Sequence, residues 1–176
     1  MKLSYLIKGL PGHPIHPPLT DATIGIYTAS TILGVLSALG VSETNTTTAW
    51  WLTLVIGLVV TVPTALTGFV DWLGIEWGTP LWRTATTHLV AMVTATVFFL
   101  LAALVGHGGY VDHEVTGGSL VLTLIGFGFL TLGGWLGGTV VFVHGMRVLN
   151  LVGEPSRRAM APEPTPEKER AERGTA

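Results

Sequence analysis

Between Asp21 and Glu43 the chain runs for 21 residues without a charge. It does so again for 27 residues up to Asp71, for 28 between Arg83 and Asp112, and for 32 between Glu114 and Arg147. A bilayer core of about 30 Å is crossed by roughly 20 apolar residues at about 1.5 Å rise each, so every gap holds one helix and none holds two. Spans are expected near residues 19–40, 50–70, 84–105 and 119–143. Runs such as TVFFLLAALV are apolar on every face, which is not the alternation of a membrane barrel. The fold class is therefore all-α: an integral membrane four-helix bundle over residues 1–152, with 153–176 as a disordered tail.

Composition supports this division. Of 20 charged residues, ten lie in residues 154–176, beside four of the ten prolines. A body with the remaining ten cannot cover a water-facing surface, which excludes a soluble globular enzyme. It also excludes a nucleic-acid binder, because the few bases are offset by acids. The tail balances five bases against five acids and has no hydrophobic period, so it is not expected to fold or to bind anionic lipid. The absence of cysteine removes disulfides, Cys-type zinc sites, covalent haem attachment and an iron–sulfur cluster held by this chain.

All nine Lys and Arg residues fall at the N-terminus, in the middle loop or after the fourth span, and the loops around Glu43 and Asp112–Glu114 have none. By the positive-inside rule the side carrying Lys8, Arg83 and Arg147 is cytoplasmic and both termini are inside, in a bacterial inner membrane. We refer to it as the basic end. Trp50 and Trp51 on one side, and Trp72, Trp77 and Trp82 on the other, suit interfacial aromatic belts. The segment LSYLI is too short for the apolar region of a cleavable signal peptide, and prolines at positions 11, 14, 17 and 18 interrupt the residues after it.

Within the spans, Gly133 with Gly137 and Gly134 with Gly138 form overlapping G-x-x-x-G pairs that allow close helix packing. Pro63 is expected to kink the second span. Threonines bond back to their own helices and need mark no transport path. No internal repeat is evident from the sequence, and an inverted-repeat transporter is disfavoured on that ground.

Four of the six histidines gather at the basic end with two aspartates and an arginine: His13, His16 and Asp21 around the first span, Asp71 at the end of the second, Arg83 and His88 at the third, His144 at the fourth. His107 and His113 belong to the other end, near Asp112 and Glu114, as loop residues. Groups of this kind at membrane depth face a bundle interior or water with a partner. They admit three readings. His88 and His144, at similar depth, are candidate axial ligands of a b-type haem, with His16 as a third candidate. His13, His16, Asp21, Asp71 and His88 are candidate ligands of a divalent metal ion. The bland reading is an interfacial network in which Asp71 pairs with Arg83. Walker, G-x-S-x-G, HExxH and dinucleotide motifs are missing.

GHPIHPPLTDATIGIYTAS, PTALTGFVDW, a histidine early in the third span, and GGWLGGTVVF followed by GMRV resemble the bacterial membrane family catalogued as domain of unknown function 2231. The resemblance runs in order from about residue 12 to residue 148. It implies a four-helix membrane protein and, since some relatives are joined to a Rieske-type iron–sulfur domain, a redox setting. Any iron–sulfur partner is then a separate protein. His13, Pro14, His16, Pro17, Asp21, Gly25, Gly68, Asp71, Trp72, His88, Gly137 and Gly138 match the family pattern; Thr23 and Thr139 depart from it, the latter where many relatives have histidine. The expectation is a redox-associated membrane protein, and the alternative is a non-catalytic component that packs against larger membrane complexes.

Because the chain has no native cysteine, the topology has a direct check. In intact cells a membrane-impermeant maleimide is expected to label Ser42→Cys and to leave Gly78→Cys unlabelled. The opposite pattern reverses the orientation.

Overall fold

The computed structural model describes residues 5–10, 12–149 and 151–160. The elements in chain order are α1 (Tyr5–Lys8), α2 (His16–Ala38), α3 (Glu43–Trp72), α4 (Pro80–Val105), α5 (His107–Asp112) and α6 (Gly117–Gly138). The last continues as a π-helical turn, Thr139–Val143, and α7 (Ser156–Ala159) comes after it. Four helices are long and apolar enough to span a membrane: α2, α3, α4 and α6 with its π turn. The tail expected from residue 153 is described only to residue 160 and includes α7; residues 161–176, and Lys2, lie outside the described residues.

All four spans begin before their expected positions, the first three for clear local reasons. In α2, Pro17 and Pro18 occupy the first turn, where a missing N–H breaks no helical bond, so the helix starts at His16. In α3 the polar run after Glu43 stays helical because hydroxyls return to the preceding turn; Thr48 Oγ1 donates to the Thr44 carbonyl at 2.8 Å. In α4, Thr79 caps the Trp82 N–H at 3.2 Å and Pro80 takes the first position. Pro63 lies inside α3, which continues as helix to Trp72.

α2 packs along α3, and α4 along α6, as two antiparallel hairpins that meet each other less extensively. Their junction is tight toward the end that carries Glu43 and Asp112. There Tyr27 of α2 stacks on Phe99 of α4, with ring centres 4.0 Å apart and planes 5° from parallel. Trp50 of α3 is fully buried, fits against Gly34 and Gly106, and donates Nε1–H to Thr123 of α6 at 3.3 Å. Trp51 donates to the Ala103 carbonyl at 2.9 Å.

The structure corrects the expectation that the chain carries no repeat. Adding 72 carries His16 to His88, Tyr27 to Phe99 and Gly34 to Gly106; adding 69 carries Gly57 to Gly126 and Gly68 to Gly137. The contacts transform with the residues. Tyr27 lies on Gly57 as Phe99 lies on Gly126, and His16 lies on Gly68 as His88 lies on Gly137. The other buried positions of α2, Thr23, Ser30, Thr31 and Ser37, map onto buried Ala95, Ala102, Ala103 and Gly109. The two hairpins are thus copies of one packing unit. Corresponding helices run the same way, which places the pseudo-two-fold axis along the bundle, between Tyr27 and Phe99, as in parallel-repeat membrane folds. The repeat is hidden in the sequence because polar residues in one copy stand against apolar ones in the other.

A methyl at Gly57 would stand 2.6 Å from Cε1 of Tyr27, whose far face is occupied by Phe99; one at Gly106 would run into the Trp50 ring and stand 2.7 Å from the Ala102 carbonyl. Gly57→Ala and Gly106→Ala are therefore expected to destabilise the bundle by about 1–3 kcal/mol each. Gly128, with open space around it, is the control: Gly128→Ala should leave the melting temperature in detergent unchanged.

Candidate functional site

At the basic end the hairpins diverge and enclose a cavity of about 360 Å³. His16, Asp21, Asp71, His88 and Arg147 all line it, as do Thr20, Thr61 and Thr64. The opposite wall is mainly apolar and includes Met92 and Val141; its one threonine, Thr96, donates its hydroxyl to the Met92 carbonyl at 2.8 Å. Exposed Phe69, Val93 and Phe142 form part of the rim. These side chains belong to elements long and apolar enough to span a membrane, and the cavity lies between the hairpins.

Each histidine is seated by its own hairpin. His16 Nδ1 lies 3.0 Å from the Thr64 carbonyl, and His88 Nδ1 lies 2.7 Å from the Gly133 carbonyl. In both cases a glycine four residues further along the accepting helix, Gly68 or Gly137, provides the room for the ring to lie against the backbone. A carbonyl only accepts, so Nδ1 carries the proton in each ring and a neutral imidazole presents a bare Nε2 lone pair. Thr20 Oγ1 stands 3.4 Å from Nε2 of His16; the same hydroxyl donates to the His16 carbonyl at 3.0 Å.

A ladder of hydroxyls runs deeper along the first hairpin. Thr23 and Thr64 are joined at 2.9 Å, and Thr61 meets the Tyr27 phenol at 3.0 Å. The second hairpin has no counterpart, because the positions equivalent to Thr20, Thr23, Thr61 and Asp71 are Met92, Ala95, Leu130 and Val140.

Asp71 is buried and pairs with Arg147, Nη2 to Oδ1 at 2.6 Å. This corrects the expected Asp71–Arg83 pair: Arg83 is exposed and borders a separate surface depression with Trp82 and Val90. The geometry of the α6 end explains the outcome. The π turn, with His144 N–H bonded to the Thr139 carbonyl at 3.0 Å, is followed by Gly145 (φ 69°) and Arg147 (φ 58°), which turn the chain back under the cavity. A left-handed arginine costs about 1–2 kcal/mol. Its guanidinium offsets that cost by holding both Asp71 and, at 3.0 Å, the Lys8 carbonyl.

Two expected site residues, His13 and His144, are elsewhere. His144 Nε2 meets Thr84 Oγ1 at 3.0 Å and is not among the cavity-lining residues, so the imidazoles that share the cavity are His16 and His88, not His88 and His144. His13 is exposed in the turn that precedes α2 and also lies off the cavity. Asp21 is an exposed residue of the lining. Among the described residues no group of three or more His, Asp or Glu side chains is placed to hold a metal ion. Gly133 lies against Met92, and Gly134 is within 3.5 Å of Ile24 where a methyl is added, so both G-x-x-x-G pairs adjoin helices of the same chain. Gly138 has only Phe142 near it. Arg147, Gly68 and the cavity threonines are site residues that sequence reasoning missed. Thr61, Thr64 and Gly68 do fall three and four residues apart, the spacing of one helix face.

The profile of the family described as predicted membrane protein, DUF2231, matches residues 12–150. The chain belongs to that family. No curated protein and no solved structure matches it.

Removing one partner of the Asp71–Arg147 pair leaves a charge without compensation at the cavity. With Arg147 partly exposed, Arg147→Met is expected to destabilise the protein by about 1–3 kcal/mol, below the range for fully buried pairs. The double variant Arg147→Met/Asp71→Asn should recover part of that loss in a thermal melt. Additive losses would show that the two charges are not coupled.

Proposed function

We propose that this member of the DUF2231 family is a redox-associated membrane protein that holds a flat, mainly apolar small molecule between its hairpins, with His16 and His88 as polar contacts. The single observation that supports the reading most is the matched seating of the two rings. A histidine that donates Nδ1–H to a backbone carbonyl has its orientation and tautomer set, and this is the arrangement used to aim Nε2 at a bound group. The apolar walls and the few convergent polar groups are those of a small-molecule site. The basic end faces the cytoplasm in this reading, and a separate redox protein is the partner.

Two imidazoles can hold a group by coordination or by hydrogen bonding. Coordination favours haem b over a free metal ion, since a porphyrin leaves its iron needing only two axial ligands while a bare ion takes at least three protein donors at most sites. In that version His16 and His88 are the axial pair.

The test is direct. Protein purified after haem-sufficient expression is examined by visible spectroscopy, and its organic extract by mass spectrometry, beside His16→Ala and His88→Ala. A small molecule that co-purifies with the wild type and falls about tenfold in either variant, the loss of roughly 1.4 kcal/mol, is the expected result. Extracts that are the same for all three proteins sink the proposal. A Soret band identifies the occupant as haem; its absence removes the haem version alone.

A further inference from the structure

The duplication identifies what in the cavity is shared by the two hairpins and what belongs to one. Shared are the imidazoles of His16 and His88, each with its Nε2 left as an acceptor, on either side of the pseudo-two-fold axis. A group held equally by both must offer two hydrogen-bond donors on opposite sides of a compact centre. Unshared is the hydroxyl wall of Thr20, Thr61 and Thr64, which faces mainly apolar side chains of the second hairpin, where the hydroxyl of Thr96 is turned back to its own helix. The site therefore distinguishes two edges of its occupant, one polar and one alkyl. The rim adds a third requirement: Phe69 and Phe142 are exposed residues of elements long and apolar enough to span a membrane, so an apolar substituent can leave the cavity past them without being cut short.

Resting on the reading of this cavity as a ligand site, we propose that its occupant class is a lipid-tailed para-dihydroxy aromatic, a membrane quinol, bound with its two hydroxyls donating to His16 and His88 Nε2. The ring lies between the hairpins, its more polar substituents face Thr20, Thr61 and Thr64, and its alkyl-bearing edge faces Met92 with the tail passing the Phe142 rim. Because both acceptors are set by the Nδ1–H bonds to Thr64 and Gly133, the site selects the reduced form. A quinone offers oxygen lone pairs to nitrogen lone pairs and loses both contacts. The charge pair of Asp71 and Arg147 is satisfied internally and closes the basic end of the cavity; it is not used by the hydroxyls.

The experiment uses the full chain in detergent, with a decyl-tailed benzoquinol kept reduced and, separately, its quinone, each titrated by equilibrium dialysis. The quinol is expected to bind at least about tenfold more tightly than the quinone, because the quinone loses both hydrogen bonds. His16→Ala and His88→Ala should lower quinol affinity by similar factors, because the two positions are equivalent, and should leave the weaker quinone binding nearly unchanged. Circular dichroism confirms that the variants fold, and the wild-type ratio itself requires no variant. Equal or reversed preference overturns the proposal, as does full quinol affinity in a folded variant. A Soret band that depends on His16 and His88 together with no quinol binding overturns the quinol while the ligand site stands. No quinol binding and no co-purifying molecule sinks both.

Discussion

Rings laid on glycines hold this protein together. In lipid, apolar side chains gain little by meeting one another, so helices associate through close packing and a few interhelical hydrogen bonds. Here an aromatic or imidazole ring from the first helix of a hairpin covers a glycine on the second, at His16–Gly68 and Tyr27–Gly57, and again at His88–Gly137 and Phe99–Gly126. Absence of a Cβ lets each ring approach the backbone. For the histidines the same approach brings Nδ1 within reach of a carbonyl. Stacking of Tyr27 on Phe99, a contact worth about 0.5–1.5 kcal/mol beyond area burial, then joins the hairpins on their common axis.

The cavity results from the uneven strength of that junction. Trp50 and Trp51 bridge from α3 to both helices of the second hairpin at one end, where their N–H groups find Thr123 and the Ala103 carbonyl. At the basic end the corresponding space holds two imidazoles turned toward their own hairpins, and the halves separate. The π turn and the left-handed Arg147 then bring a cation under the opening, where it meets buried Asp71. Packing and candidate chemistry thus share residues, since the side chains that fasten each hairpin also line the space between them.

Much of this was legible from charge alone. Four uncharged gaps imposed four helices, and the gathering of His16, Asp71 and His88 at one membrane end came from their positions along those helices. What failed was pairing. Arg83 and Arg147 are both near Asp71 in depth, and nothing in their spacing told that a π turn would carry the second inward while the first pointed out. His144 matches His88 in depth but departs from it laterally, because the chain has left the helix by then and the ring has turned to Thr84. The repeat was hidden for a different reason: a fold copied in lipid keeps the sizes at its contacts rather than their polarity, so Thr23 matches Ala95 in place and burial without resembling it.

The sequence by itself determined that this chain crosses a membrane four times, with every Lys and Arg and most of its histidines at one end. Hydropathy and charge act along the chain and need no partner to be read. Only the tertiary structure decided which histidines share a cavity, which arginine neutralises Asp71, and that the bundle is a doubled hairpin. Those outcomes depend on the rotation of each helix about its axis. In a span apolar on every face that angle is set by where a ring finds a glycine, and not by any pattern visible along one helix.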